Sequence, residues 1–316
     1  MAKLDERRII EIFQKNFQKK IPASDDVEYF RIGKKLGVLK VDTLVASTDA
    51  PPGMSPSEIA RKSVVSSASD FAAKGVKPLY CTISVSMPRS YTEKKISQLA
   101  LGFKKASKEF GFRILGGDTN EAKDLVISVV LFGLAEKIPP RSGAKNGDYI
   151  VATGSFGLAA SGIKILLHKK KALPSFKKAA VGAVMHPRPR LSFGIKAAPY
   201  LTSSMDSSDG LSTTLSELSR QSKKKLVITN VPRGEGVIEF AKSNRLDSFD
   251  LVFNGGEEFE IVATTSPKNF SKVNAIAKKT GVDLIKIGTV QNGSGVFLKN
   301  GRTIRIKDRG WSHFAN

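Results

Sequence analysis

The chain has 316 residues, 41% apolar and 25% charged, so it has the material for one large domain or two and is not a disordered tail. Lys and Arg outnumber Asp and Glu by 51 to 29, a net charge of +22 that favours polyanionic partners such as nucleotides, phosphorylated metabolites, nucleic acid or an anionic membrane. One cysteine (Cys81), three scattered histidines (His168, His186, His313) and no apolar run near the roughly 20 residues of a bilayer span exclude a disulfide scaffold, a zinc motif and a membrane anchor, and predict a soluble cytoplasmic protein.

Residues 4–17 have helical periodicity, with Leu4, Ile9, Ile12, Phe13 and Phe17 roughly on one face. A polar segment containing Ser24-Asp25-Asp26 follows, and then a strand over 37–47. A helix is predicted over 58–74, capped by Ser55 or Ser57 and stopped by Gly75. A strand over 79–87, a helix over 92–110 closed by Gly111, and strands over 112–115 and 125–135 complete the first half. The Pro- and Gly-rich segment 138–143 reads as a linker between residues 1–137 and 138–316.

The second half opens with a strand over 148–152 and a helix starting at Gly154-Ser155-Phe156-Gly157. Helices over 176–185 and 190–200 precede a short strand ending at Met205-Asp206. Helices over 211–222 and 235–243, a strand over 259–265, a helix over 267–279 and a strand over 284–290 follow. Residues 295–307 form a hairpin around Asn300-Gly301. The clusters Lys169-Lys170-Lys171 and Lys223-Lys224-Lys225 lie near predicted helix ends and read as solvated surface. The pattern is mixed α/β.

No phosphate loop, dinucleotide-binding glycine motif or protein-kinase signature occurs. The acidic residues offer another route to phosphate. Asp26, Asp42, Asp70, Asp118, Asp206 and Asp209 each sit in a short Gly, Ser or Thr context at a predicted element end. Carboxylates converging on one cleft would hold a polyphosphate through Mg²⁺, which takes oxygen ligands and completes its shell with substrate phosphates. Each one alone reads by default as a helix cap or surface group. Gly116-Gly117 allows close approach of backbone to phosphate, or only a turn. Ser155 is an N-cap or an anion contact. Glu257, within Gly255-Gly256-Glu257-Glu258, suits a cationic substrate or an exposed strand entry. Trp311, the only tryptophan, stacks on a substrate ring or packs in the core.

In chain order these segments resemble the thiamine-monophosphate kinases, within the aminoimidazole-ribonucleotide-synthetase-like superfamily. The matching pieces are Asp25-Asp26, Asp42-Thr43-Leu44-Val45, Ser69-Asp70-Phe71-Ala72-Ala73-Lys74-Gly75 and Gly116-Gly117-Asp118-Thr119. They continue with Arg141-Ser142-Gly143-Ala144, Asp206-Ser207-Ser208-Asp209-Gly210-Leu211, Gly255-Gly256-Glu257-Glu258 and Gly310-Trp311-Ser312-His313-Phe314. The resemblance implies a two-domain α/β fold that dimerises through its N-terminal sheets. It implies transfer of phosphate from ATP to thiamine monophosphate, in line and aided by Mg²⁺. By position, Asp26, Asp42, Asp70, Asp118, Asp206 and Asp209 would be metal ligands, with Asp118 and Asp209 closest to the chemistry. Gly117, Asp118, Arg141 and Ser208 would contact ATP. Glu257, Trp311 and Asp49 would contact the thiamine compound, although Asp49-Ala50 stands where the family often has His-Phe. The acceptor is itself a phosphate, anionic at pH 7, so the chemistry needs charge neutralisation more than a general base.

Related activities fit less well. Selenophosphate synthesis wants a reactive cysteine near the N-terminus, the hydrogenase-maturation relative ends in cysteine, and the purine cyclo-ligase has a different sequence after its first aspartate. A basic protein that binds nucleic acid non-specifically is the alternative from another class.

Overall fold

The computed structural model describes residues 6–17, 25–312 and 314. Leu4, Ser24 and His313 lie outside them. Helix α1 (Glu6–Asn16) is followed by strands β1 (Glu28–Ile32) and β2 (Lys35–Val45), a single turn α2 (Ala46–Asp49) and the long helix α3 (Pro56–Lys74). Strand β3 (Lys77–Met87), helix α4 (Glu93–Phe110) and strands β4 (Arg113–Glu121) and β5 (Val126–Ala135) complete a five-stranded sheet ordered β1-β2-β5-β3-β4.

Of the two caps read for α3, Ser55 is the one that forms, and α4 has Thr92 as a cap just outside the helix. Ser55 and Glu58 make a reciprocal capping box on α3, and Thr92 accepts from the Lys95 N–H at the start of α4. Gly75 and Gly111 end these helices at φ 65° and 75°, backbone that a Cβ disfavours.

The second half contains β6 (Tyr149–Ala152), α5 (Leu158–His168), α6 (Pro174–Met185), α7 (Leu191–Ala197), β7 (Ser203–Ser207) and α8 (Leu211–Ser222). It continues with β8 (Lys225–Ile228), α9 (Val237–Ser243), β9 (Glu260–Thr265), α10 (Pro267–Thr280), β10 (Ile285–Gln291) and the hairpin β11 (Gly295–Asn300) and β12 (Arg302–Ile306). These strands form a seven-stranded sheet ordered β12-β11-β8-β10-β6-β9-β7.

Helix α3 lies between the two sheets and is buried along most of its length. Its Ala72 and Ala73 share a core with Phe193 and Ala197 of α7 and with Val151, Ile261 and Ala263 of the second sheet. Contact with α7 is so close that a Cβ on Gly194 would sit 1.8 Å from the Ala72 carbonyl oxygen. Segment 138–143, read as a linker, is packed: Ile138 is buried and the Pro139 carbonyl accepts from Lys74.

Gly116-Gly117-Asp118-Thr119 is not a turn. It continues β4, an exposed edge strand paired in parallel with β3. Strands β1 and β8 appear where no strand is predicted, and residues 250–254 form one π turn.

Candidate active site

The centre of the site is the polar stripe of α3. Ser63, Ser67, Asp70 and Lys74 recur at the spacing of one helix face and are all buried. Such a stripe is stable only with partners, because an unpaired buried charge costs several kcal/mol. Ser67 Oγ donates to Asp42 Oδ2 on β2 at 2.8 Å. Lys40, two residues earlier on the same strand face, places Nζ 2.8 Å from Asp70 and 3.3 Å from Asp42. Ser69 Oγ donates to Asp206 Oδ2 at 2.8 Å, joining α3 to β7 of the second sheet. Lys74 Nζ lies 2.6 Å from Asp25 and 2.9 Å from Asp26 and donates to the Ser204 and Pro139 carbonyls. Arg141 Nε donates to Asp26 Oδ1 at 2.9 Å, and its Nη2 meets the same oxygen.

Carboxylate oxygens of Asp26, Asp70 and Asp206 thereby come within 4.8 Å of one another, all three residues buried. Burial drives the Asp70 carboxyl well above the usual range; Lys40 opposes this, and the neighbouring Asp206, Asp42 and Asp26 add to it. Burial likewise pushes Asp206 up to about 7, reinforced by Asp26. For Asp26 burial acts upward too, but Lys74 and Arg141 together outweigh it and hold the carboxyl below its ordinary value. The donors are therefore hard oxygens short of positive charge, which suits a divalent cation of the Mg²⁺ type.

A second group of residues adjoins Asp206. The Ser208 carbonyl accepts from the Glu257 N–H at 2.6 Å, and the Asp209 carbonyl accepts from the Trp311 N–H at 2.8 Å. Ser208, Asp209, Glu257 and Trp311, far apart in sequence, thus share one neighbourhood. Glu257 has φ 72°, an uncommon conformation for a residue with a Cβ and one concentrated at functional sites. Its carboxylate pairs with the buried Lys62 of α3 at 2.6 Å, and the same Nζ donates to the Asp49 carbonyl at 2.6 Å. Trp311 is 61% exposed, so it is not a core residue.

Other expected residues are placed differently. The Asp49 carboxylate accepts from the Val45 N–H at 2.7 Å, so it holds its own turn while its carbonyl faces Lys62. The Arg141 guanidinium is engaged by Asp26. Asp118 is not gathered with the other aspartates. It lies in register with Ser84, Ser128 and Thr43, a row on the sheet face away from Asp42, and takes a hydrogen bond from Asn120 at 2.9 Å. Gly117 has a packing role, since a Cβ there would lie 1.7 Å from the Ile83 carbonyl oxygen.

Ser155 does not cap α5; the Glu258 carboxylate does, accepting from the Gly157 and Ala159 N–H groups at 2.6 and 3.1 Å. Nor does Asp209 cap α8, whose N-cap is Gly210 with no side-chain bond. Sequence reasoning passed over Lys40, Lys62 and Lys74. The available signal was the i, i+2 spacing of Lys40 and Asp42 and the all-polar stripe of α3.

Residues 24–135 match the N-terminal domain of AIR synthase related proteins and residues 145–299 match the C-terminal domain, which defines the class. A thiamine-monophosphate kinase of Nitrosopumilus maritimus is 51% identical over 99% of this chain and 100% of its own length. One from Pyrococcus horikoshii is 33% identical over 99% of this chain and 97% of its own. A solved structure of AaThiL complexed with AMPPCP and TMP superposes with a TM-score of 0.88 at 24% identity, covering 98% of this chain and 97% of that one. The chain belongs to the thiamine-monophosphate kinase family and is an enzyme of the mixed α/β, two-domain type.

Proposed function

We propose that this protein transfers the terminal phosphate of ATP to thiamine monophosphate, giving thiamine diphosphate, by in-line attack at the acidic cleft between the two sheets. The observation that carries this reading is the meeting of Asp26, Asp70 and Asp206 from three separate chain segments. Asp42 and Asp209 extend the set, and Mg²⁺ held by these carboxylates supplies the charge that lets two phosphate groups approach. Lys40 occupies the position between Asp70 and Asp42 that the metal would share, while Lys74 and Arg141 hold Asp26 in its ionised form. Ser208 and Gly117 are proposed ATP contacts. Glu257, fixed by Lys62, and the exposed Trp311 face the thiamine moiety, Glu257 toward its positive charge and Trp311 toward its rings.

The division at 137/138, a cytoplasmic location and a homodimer belong to the same proposal. The outer face of the five-stranded sheet supports pairing. Leu39, Val41 and Tyr80 are 36%, 59% and 43% exposed there, and Phe132 stacks on Tyr80. A contiguous apolar patch on a sheet face marks an interface. Asp118 belongs to that face, so pairing turns it toward the second copy, where it supplies its carboxylate to the neighbouring cleft.

The test is ADP release and thiamine diphosphate formation from ATP, Mg²⁺ and thiamine monophosphate, with free thiamine as control. Turnover that requires the monophosphate is expected. Absence of turnover in a folded, Mg-ATP-binding protein would overturn the choice of acceptor.

A further inference from the structure

The positive charge of this chain is unevenly placed. Between Tyr149 and Met205 there are nine Lys and Arg and no Asp or Glu at all. Part of this stretch folds as the helical hairpin α5–α6. The hairpin is tightly built: a Cβ on Gly162 would lie 2.2 Å from the Ala180 carbonyl oxygen, so the helices cross at close range. Its loop is tied down by Asn244 Nδ2, which donates to the Lys171 carbonyl at 2.8 Å, and by Phe176 stacked on Phe240 at 5.0 Å.

Around this loop Lys169, Lys170, Lys171 and Lys177 line a concavity of about 500 Å³ with Ile165 and Ala172. Among the described residues none of the four lysines pairs with a carboxylate, whereas the cations of the acidic cleft all do.

Helix stability does not account for this gathering. A helix C-terminus carries roughly half a negative charge, which a single cation at the end of α5 answers. Lys177 stands in the first turn of α6, where the helix dipole opposes a cation. Like charges held around one concavity raise the local potential and lower the cost of binding an anion there. The volume lies in the range of small-molecule sites.

We infer that this lysine-lined concavity is a second anion site, one that takes the di- or triphosphate group of a small molecule. It lies at the opposite end of α5 from Glu258, roughly 16 Å away along an 11-residue helix. The two sites differ in a testable way. The acidic cleft repels polyphosphate unless a divalent metal is present; the lysine site needs none.

The experiment is calorimetric titration of the full-length protein with inorganic tripolyphosphate in EDTA. One saturable site per chain is expected. Lys169→Ala/Lys171→Ala/Lys177→Ala should weaken it at least tenfold with an unchanged melting temperature, and the corresponding triple Arg variant should retain it. Lys171→Glu alone provides the charge test if the triple Ala variant does not fold, and it should also weaken binding at least tenfold. No saturable binding in EDTA, or an affinity in the Ala and Glu variants equal to that of the unsubstituted protein, would overturn the proposal. So would displacement of tripolyphosphate by a single-stranded RNA oligomer at far lower concentration with a steep salt dependence, which would make the surface a nucleic-acid site instead.

Discussion

In the proposed reaction single residues carry the metal chemistry, and the charge pattern around them sets how each should respond to substitution. Asp25, Asp26, Asp42, Asp70 and Asp206 are joined to Lys40, Lys74 and Arg141 by ion pairs or close approach, and with all five carboxylates ionised two negative charges are in excess. One divalent cation balances them. Asp209→Asn keeps a side chain of the same shape and removes a charge, so the fold should persist. Loss of a metal contact of ~3 kcal/mol in the transition state slows turnover on the order of 100-fold. Steady-state rates near those of the unsubstituted enzyme would remove Asp209 from the metal set.

Lys40→Met probes the opposite sign. Its ammonium group sits where a metal ion would share Asp70 and Asp42. Removing it should tighten Mn²⁺ binding to the ATP-free protein about tenfold, a change of ~1.4 kcal/mol. Paramagnetic resonance of free Mn²⁺ reads this directly. Weaker binding would mean that Lys40 orients the carboxylates rather than competing for them. Lys40 was readable as a same-face neighbour of Asp42; that it points at Asp70 was not, because their meeting depends on how α3 lies across the sheet.

At the scale of elements, local signals were legible and distant ones were not. Ser55, Gly75, Thr92 and Gly111 mark their helix ends within the sequence itself. The hairpin at Asn300-Gly301 forms as read, with Gly301 at φ 69°. Strand β1 escaped because all five of its residues are exposed, so no alternation of apolar and polar residues announces it. Strand β8 is four residues long, follows a lysine run, and owes its place to β10 and β11.

The cap of α5 is the clearest long-range case. Glu258, about a hundred residues onward, accepts the Gly157 and Ala159 N–H groups. Burial lifts its carboxyl to about 8; the two N–H groups oppose the shift and Glu260 adds to it. The folded state therefore binds this proton more tightly than the unfolded chain does. The stabilisation is complete below the ordinary glutamate range and is lost as pH rises toward 8. The loss is on the order of 2–3 kcal/mol, discounted for partial solvent contact. Glu258→Gln retains an acceptor for both N–H groups and carries no charge. Its unfolding free energy, from urea titrations between pH 5 and pH 8.5, should fall less with pH than that of the unsubstituted protein. Parallel curves would show that Glu258 stays ionised across the range.

At the scale of the molecule, the two sheets do not act as independent bodies. Helix α3 gives its polar stripe to the cleft and its alanines to the core shared with α7 and the second sheet, so the cleft geometry is set by inter-domain packing. Asp118 does not fit a cleft built from one chain, since its row faces away from Asp42. In the proposed dimer the discrepancy becomes an expectation about complementation. Asp118→Asn and Asp209→Asn should each be nearly inactive alone. If each cleft combines Asp209 of its own chain with Asp118 from the second copy, a mixed dimer contains one intact cleft. Random pairing at equal expression makes half the dimers mixed, so co-expressed variants should recover about a quarter of the full activity per cleft. If both aspartates serve the chain that carries them, every cleft in the mixture lacks one carboxylate and activity stays at the level of the single variants. Purifying the mixed species through two different affinity tags doubles the expected signal to about half and separates the two arrangements without reference to expression levels.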